Sequence, residues 1–223
     1  MGGLGQERNH NMNNFVYAPR SLWLPEKKKL VKLIGCVQDE IHDRFTFSYN
    51  FIGSAERGLI TYEPDGNKGF DFDVNIHPND PDENYGPDEL RHIFKQGLDE
   101  YSQYFEYDYA EDSKRVLTIK VKDSENSRIL HSCDFAIVYD CNDGRQQFVY
   151  FNKKQGTYEW QYQSKGFYHL KERTEWIKQN GFWPEVRDLY LYKKNMNENP
   201  SKKSRSIFAE TINEVYNGHK NLF

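Results

Sequence analysis

Cysteine is scarce in this sequence, at three residues in 223, and long apolar runs are missing. The three thiols, Cys36, Cys133 and Cys141, are odd in number and lack Cys-x-x-Cys spacing, which argues against a disulfide framework. No His-x-x-x-His or Cys-His spacing suits zinc. No stretch approaches the ~18 apolar residues of a membrane span, and the N-terminal residues lack the apolar segment of a signal peptide. We therefore expect a soluble, cytoplasmic protein with no membrane partner.

An excess of positive charge is also missing. The sequence has 30 Lys and Arg residues against 34 Asp and Glu residues, a formal net charge of -4. The molecule as a whole therefore does not attract nucleic acid, and a polyanionic ligand must be bound by a local group of residues.

The pattern of apolar residues changes along the chain and predicts three regions. Residues 1–20 are polar and rich in Asn and Gly, which predicts a flexible leader. Residues 21–165 mix helical and strand patterns, whereas 166–223 are helical throughout. The expected fold class is α/β (α+β), with a mixed β-sheet core flanked by helices and a C-terminal helical lobe that forms a cleft with it.

Within the core region, a helix is predicted from Pro25, with Pro in its first turn, and another after Gly86. Strands are predicted at Thr46–Ile52 and 70–76, a hairpin at 115–122 and 129–139, and two short strands in QQFVYFN and TYEWQYQ. Three helices are predicted after these strands. The first ends at Gly181, the second begins at Pro184, and the third ends at Gly218.

Two carboxylates stand out in the strand FDFDVNI. Successive side chains of a strand point to opposite faces, so Asp71 and Asp73 share one face, roughly 7 Å apart. Two charged groups cannot be buried there unpaired. Either this is a solvated acidic edge strand, or the pair binds a hard cation such as Mg²⁺ or Mn²⁺.

Gly53 and Ser54 end the preceding strand, just before a helical turn. Glycine allows close approach of the backbone, and N–H groups at the start of a helix bind phosphate. The pair therefore predicts a phosphate-binding turn, although Gly-Ser alone is usually an ordinary turn.

Asp134 is a third candidate, because it lies inside the apolar run HSCDFAIVY, where an unpaired charge is costly. If its strand neighbours that of Asp71, three carboxylates converge on one site. The alternative is a structural ion pair with Arg115 or Arg128. Asp140 is the next candidate, but it lies at a strand end, where turn residues are common.

Together, Gly53-Ser54, the alternating Asp71 and Asp73, and the later Asp134 resemble the nucleotidyltransferase superfamily related to DNA polymerase β. The tail, VRDLYLYKKN followed by KSRSIFAETINEVY, resembles the helical lobe of the oligoadenylate-synthetase-like and bacterial cyclic-oligonucleotide-synthase branch. In one respect the chain differs, because the sixteen residues between Ser54 and Asp71 exceed the usual interval of the family. We expect the additional residues to form a loop or small hairpin at 60–69.

The resemblance implies an enzyme that moves an NMP from an NTP to an acceptor hydroxyl and releases pyrophosphate. It implies that Asp71, Asp73 and Asp134 bind Mg²⁺ or Mn²⁺, and that Gly53 and Ser54 bind the phosphates. Lys194 (or Lys193) and Ser206 (or Ser204) would hold the triphosphate. The acceptor stays open among a second nucleotide, RNA, protein and a small molecule, as do base preference and oligomeric state. The competing hypothesis is a nucleotide sensor without catalysis.

Overall fold

A seven-stranded mixed sheet organises the first of two units into which this chain divides. The computed structural model describes residues 13–80, 82–163 and 168–221. The sheet unit spans Val16–Gly166, and the helical unit combines Met1–Phe15 with Phe167–Phe223. The sheet and the helical tail confirm the mixed α+β class.

The sheet unit begins with strands and helices interspersed and ends with five strands in succession. In chain order they are β1 (Val16–Tyr17), α1 (Arg20–Ile41), β2 (Thr46–Ile52), α2 (Gly53–Arg57), β3 (Thr61–Tyr62), β4 (Lys68–Asn79), α3 (Pro87–Tyr101), a 3-10 helix (Ser102–Phe105), β5 (Glu111–Asp112), β6 (Leu117–Asp123), β7 (Arg128–Asp140), β8 (Gln146–Asn152) and β9 (Thr157–Tyr162). The predicted hairpin is present as β6 and β7, and the two predicted short strands are β8 and β9.

The strand order places β4 and β7 at the centre of the sheet. The order is β2-β4-β7-β6-β5, with β8 and β9 continuing from the far end of β7. Strands β4 and β7 are parallel, whereas the other pairs are antiparallel. A parallel pair needs a long crossover, here the segment that contains α3, β5 and β6.

The core lies on one face of the sheet, beneath α1 and α3. Apolar residues at helical spacing on α1 are fully buried, as are those at alternate positions of β4 and β7. Members of this core include Leu30, Leu33, Ile34, Val37, Phe94, Leu98, Phe72, Val74, Ile76, Cys133, Phe135 and Ile137. Burial of this face leaves the opposite face of β4 and β7 free for polar side chains.

Two predicted helix bounds were wrong. Helix α1 begins at Arg20, not at Pro25, so Pro25 lies inside it. The helical turn before Pro25 contains Trp23, which packs against the core. This packing explains why the helix starts earlier than the proline indicated. The last helix continues to His219 through Gly218, because a glycine ends a helix by adopting the left-handed conformation itself, and Gly218 keeps the right-handed helical backbone.

The helical unit contains α4 (Tyr168–Gln179), α5 (Trp183–Asn195) and α6 (Ser204–His219). Helix α6 buries Ile207, Phe208, Ile212 and Val215. The backbone of Phe15 is attached to α5 by two hydrogen bonds with the Asn195 amide, of 2.7 and 3.0 Å. None of the helices in the described ranges is both long and apolar enough to cross a membrane.

A buried arginine links α3 to the far edge of the sheet. Arg91 is completely buried and donates two hydrogen bonds to Asp112 Oδ1, of 2.8 and 3.2 Å. It also donates to the carbonyls of Ser113 and Arg115. Tyr158 donates to the other oxygen of Asp112 at 2.7 Å, and burial together with this bond raises the pKa of Tyr158 to about 12. Asp112 is therefore the carboxylate that pairs with the buried Arg91 guanidinium.

We expect Asp112→Asn to lower the free energy of unfolding by roughly 2 kcal/mol, because it leaves a buried guanidinium without a counter-charge. Urea denaturation measures this. Asp143→Asn is the matched control, since Asp143 pairs with Arg145 at 2.6 Å on the surface, and its loss should not change stability measurably. Equal effects of the two substitutions would contradict the role given to Arg91.

Candidate active site

Three aspartates lie together on the open face of the sheet. Strands β4 and β7 pair in parallel with Asp73 opposite Asp134 and Asp71 opposite Ser132. Neighbouring strands are about 4.8 Å apart, so residues in register on the same face have adjacent side chains. Asp71 is exposed, and the other two carboxylates are half-buried. The strand of Asp134 is therefore the neighbour of the strand of Asp71.

Gly53 lies directly against one of these carboxylates. The backbone φ of Gly53 is +69°, and a Cβ placed on this residue would lie 2.3 Å from Asp73 Oδ2. Real Cβ atoms do not come closer than 3.0 Å to other heavy atoms, so only glycine fits this position without displacing Asp73. Strand β2 makes the contact possible, because its last residue, Ile52, pairs with Asp73. The close approach expected of Gly53 therefore exists, and its partner is Asp73.

Ser54 follows in the short helix α2. Its Oγ lies 3.5 Å from the carbonyl oxygen of Asp71, at the limit of a hydrogen bond. The sixteen residues between Ser54 and Asp71 do not separate the two halves of the site. They form the rest of α2, then β3, which pairs with β1 as a separate two-stranded sheet, and a turn before β4.

Two hydroxyl groups that sequence reasoning missed hold the carboxylates. Ser132 donates to Asp71 Oδ1, and Thr118 on β6 donates to Asp134 Oδ1 at 2.6 Å. Each hydroxyl lies in register with the strand position of its aspartate. The alternation that placed Asp134 on the open face also places Ser132 there, two residues earlier. Only the pairing of β4 with β7 shows which carboxylate it reaches.

A buried thiol, that of Cys133, lies behind these aspartates. Cys133 is fully buried on the core face of β7. Burial raises the pKa of the Cys133 thiol well above its usual value, and the carboxylates of Asp134, Asp73 and Asp71 raise it further. The thiol therefore stays protonated, and all three carboxylates lie close enough to Cys133 to act on it. Such a site favours cations.

The alternative partners of Asp134 are engaged elsewhere. Arg128 donates to Asp123 at 2.9 Å, and Arg115 donates to Gln163 at 3.1 Å. Asp140, at the end of β7, accepts a hydrogen bond from Gln146 at 2.7 Å and lies 3.1 Å from His77 Nδ1. Asp140 belongs to a separate polar group on the same face.

The two residues predicted from the tail lie in the helical unit. Lys194 is near the C-terminal end of α5, and its Nζ lies 4.3 Å from the centre of the Phe15 ring. Ser206 lies in the first turn of α6, and Ser204 is the first residue of that helix. Lys193 forms an ion pair with Glu214 at 2.5 Å. A triphosphate-binding role for these residues stays a prediction.

The donor set of the site suits a hard cation, because all three candidate ligands are carboxylates. Within the three described stretches of chain, however, no group of three or more His, Cys, Asp or Glu side chains is arranged to hold a metal ion. The aspartates follow two neighbouring strands, and hydroxyl groups hold an oxygen of Asp71 and of Asp134. The residue chemistry fits Mg²⁺ or Mn²⁺, and metal binding stays a proposal.

Solved structures of DncV are similar to this chain in fold. The GTP-bound form of DncV from Vibrio cholerae superposes with a TM-score of 0.57 at 15% identity, covering 86% of this chain and 51% of that chain. DncV, a cyclic AMP-GMP synthase, in complex with the linear intermediate 5' pppA(3',5')pG gives a TM-score of 0.55 at 15% identity, covering 86% and 53%. The fold is that of a nucleotidyltransferase.

This fold confirms the expected fold class and, at the level of the fold, the resemblance to nucleotidyltransferases. No family model matches the sequence, and neither does any curated protein. The chain spans about half the length of the DncV structures, at 51% and 53%. At this identity the similarity establishes the fold, and the substrates of DncV are properties of DncV.

Proposed function

We propose that this protein is a metal-dependent nucleotidyltransferase that moves an NMP from an NTP to an acceptor hydroxyl and releases pyrophosphate. The contact of Gly53 with Asp73 carries this proposal. It joins the turn proposed for phosphate binding to the carboxylates proposed for metal binding. A solvated acidic edge strand does not need such a contact, and β4 is a central strand between β2 and β7.

In the proposed reaction, the acceptor oxygen attacks the α-phosphorus in line, the new O–P bond forms, and the bond from the α-phosphorus to the pyrophosphate oxygen breaks. Ser54 and neighbouring N–H groups would bind the β- and γ-phosphates. Asp134 would assist removal of the proton from the acceptor hydroxyl. Lys194 and Ser206 are proposed to bind the triphosphate. Catalysis would derive mainly from positioning.

Asp71, Asp73 and Asp134 are the proposed ligands of Mg²⁺ or Mn²⁺. When bound, such ions neutralise charge on the phosphates and make the acceptor hydroxyl more acidic. As the acceptor we propose a second nucleotide, giving a linear or cyclic oligonucleotide. The fold shared with DncV, whose linear intermediate joins an adenosine to a guanosine nucleotide, supports this choice over RNA, protein or a small molecule.

The test is incubation of the full chain with each α-labelled NTP and with pairs of NTPs, in Mg²⁺ or Mn²⁺, with and without RNA. Pyrophosphate release and a labelled product that resists phosphatase would support nucleotidyl transfer to a nucleotide. Tight NTP binding without pyrophosphate would identify a sensor. If no NTP changes the melting temperature, the protein has no nucleotide site and the proposal fails.

Ser132→Ala should raise the Mn²⁺ concentration for half-maximal activity about tenfold, because Asp71 loses the hydroxyl that orients it. Direct titration of Mn²⁺ in the absence of NTP should show a similar weakening. Ser48→Ala, an exposed serine on the neighbouring strand β2, is the control and should change neither value. Unchanged Mn²⁺ affinity in Ser132→Ala would contradict the positioning role.

A further inference from the structure

The open face of strand β4 carries a further polar residue, Asn75, beyond the two aspartates. Val74 and Ile76 are buried in the core, so Asn75 between them points to the opposite face, which carries Asp73. It lies one strand repeat, roughly 7 Å, beyond Asp73. Its strand is central, between β2 and β7. Asn75 therefore continues the row of polar side chains that begins with the aspartates, in the middle of the sheet.

The side chain of Asn75 is nine-tenths buried without a partner from the protein. Asn75 is 9% exposed, and among the residues that the structure describes no group forms a hydrogen bond with its amide. Its neighbour in register on β2, Asn50, lies 2.7 Å from His77 Nε2, and its neighbour on β7, Ala136, has an apolar side chain. Buried amides are normally hydrogen-bonded, so we expect a ligand or water to complete this one.

The amide of Asn75 can be reached from the open face. In the described part of the chain, His219 Nδ1 is the one fully buried side-chain nitrogen or oxygen without a hydrogen-bond partner. The unpartnered amide atoms of Asn75 therefore keep some accessible surface. An amide has a donor and an acceptor and carries no charge, so it suits a hydroxyl group, which also has both, better than a phosphate or a cation.

The proposed reaction has a direction along β4. Ser54, the proposed partner of the β- and γ-phosphates, has its Oγ 3.5 Å from the carbonyl oxygen of Asp71, so the pyrophosphate end belongs on the Asp71 side of Asp73. The attacking and leaving oxygens of a phosphoryl group lie roughly in line. The acceptor oxygen must therefore approach from the opposite side of Asp73, which is the side of Asn75.

We propose that the Asn75 amide binds the ribose of the acceptor nucleotide, at the hydroxyl next to the one that attacks. This inference rests on the proposed function and deepens it. With the attacking oxygen between Asp73 and Asn75, the vicinal hydroxyl of the same ribose is the acceptor group nearest the amide, whose N–H would donate to it. Asn75 is then a specificity residue that selects ribonucleotides as acceptors, and it takes no part in bond formation.

Two kinds of analogue separate donor from acceptor in the test. An α-labelled 2′,3′-dideoxy-NTP can donate its NMP but has no hydroxyl with which to accept, whereas an α,β-methylene-NTP can accept but cannot release pyrophosphate. The acceptor is compared with its 2′-deoxy and 3′-deoxy forms at saturating donor. The form without the attacking hydroxyl gives no product. The form without the neighbouring hydroxyl should react with a kcat/KM about tenfold lower in the wild type, the loss expected for one hydrogen bond.

A matched pair of asparagines on one strand locates the contact. Asn75→Ala should use the complete acceptor and this deoxy acceptor equally well, because the hydrogen bond is lost in both cases, and its KM for the dideoxy donor should stay within about twofold of wild type. Asn79→Ala is the control. Asn79 is exposed on the same face of β4, two repeats beyond Asn75, and donates to Thr46 Oγ1 at 3.2 Å. This variant should keep the tenfold preference.

A second readout on the wild-type protein does not depend on turnover. The side-chain amide signals of Asn75 in ¹H–¹⁵N NMR spectra should shift when the α,β-methylene-NTP is added to protein with the dideoxy donor and Mg²⁺, and should shift less with one of its deoxy forms. If the wild type transfers no label, the proposed function fails, and unshifted signals would then overturn this inference as well. With an active wild type, it is overturned if the wild type shows no preference, if Asn75→Ala keeps the preference, or if that variant changes base selection or the donor KM instead.

Discussion

Asp73→Asn should lower the rate of pyrophosphate release about a thousandfold while the protein stays folded. Asparagine has the same size as aspartate but lacks its charge, so a bound cation loses its ligand and the phosphates lose charge neutralisation. The fold does not need the charge, because Asp73 lies beside Asp134 and one less negative group relieves repulsion between them. The measurement is pyrophosphate release at saturating NTP and Mn²⁺, together with thermal unfolding.

Asp140→Asn is the control for this experiment. Asp140 lies on β7 like Asp134, and its carboxylate contacts Gln146 and His77. Its loss should change the rate by no more than about twofold, as expected of a substitution away from the reacting groups. Activity of Asp73→Asn near that of wild type would remove the assignment of the acidic site. Equal losses in both variants would show that the whole open face, and not the three aspartates, matters.

The sequence predicted on which strands and on which face the candidate residues lie, but not their contacts. The alternation FDFDVNI placed Asp71 and Asp73 on one face, and a charged residue in an apolar run selected Asp134. These are local patterns, and the strands formed as expected. The hydrogen bond from Ser132 to Asp71 depends on the parallel register of β4 and β7, which a crossover of about fifty residues separates. No local pattern encodes that register.

The interval between Ser54 and Asp71 shows the same limit. A loop or small hairpin was expected at 60–69, and this stretch contains β3 followed by a turn. Strand β3 pairs with Val16–Tyr17, residues from the stretch in which we expected a flexible leader. Strands of two residues have no periodicity, so the sequence could not indicate this pairing. Likewise, Pro25 indicated a helix start, and the packing of Trp23 overrode it.

Gly53→Ala should reduce activity about a hundredfold, although it adds a single methyl group. The methyl carbon would lie 2.3 Å from Asp73 Oδ2, and ordinary contact begins at 3.4 Å, so the carboxylate must move by about 1 Å. The left-handed backbone, with φ of +69°, costs a further 1–2 kcal/mol or so in stability. Activity follows from pyrophosphate release, and stability follows from urea denaturation.

Gly156→Ala separates these two effects, because Gly156 has φ of +68° in the turn between β8 and β9 and nothing lies within 4 Å of its added Cβ. Both variants should lose similar stability from backbone strain, but only Gly53→Ala should lose activity. An active Gly53→Ala protein would show that the Asp73 carboxylate tolerates displacement, which is incompatible with a role as metal ligand. If Gly156→Ala lost activity equally, strain alone would account for the result. The pair therefore tests whether the contact between the glycine turn and the acidic strand serves the reaction.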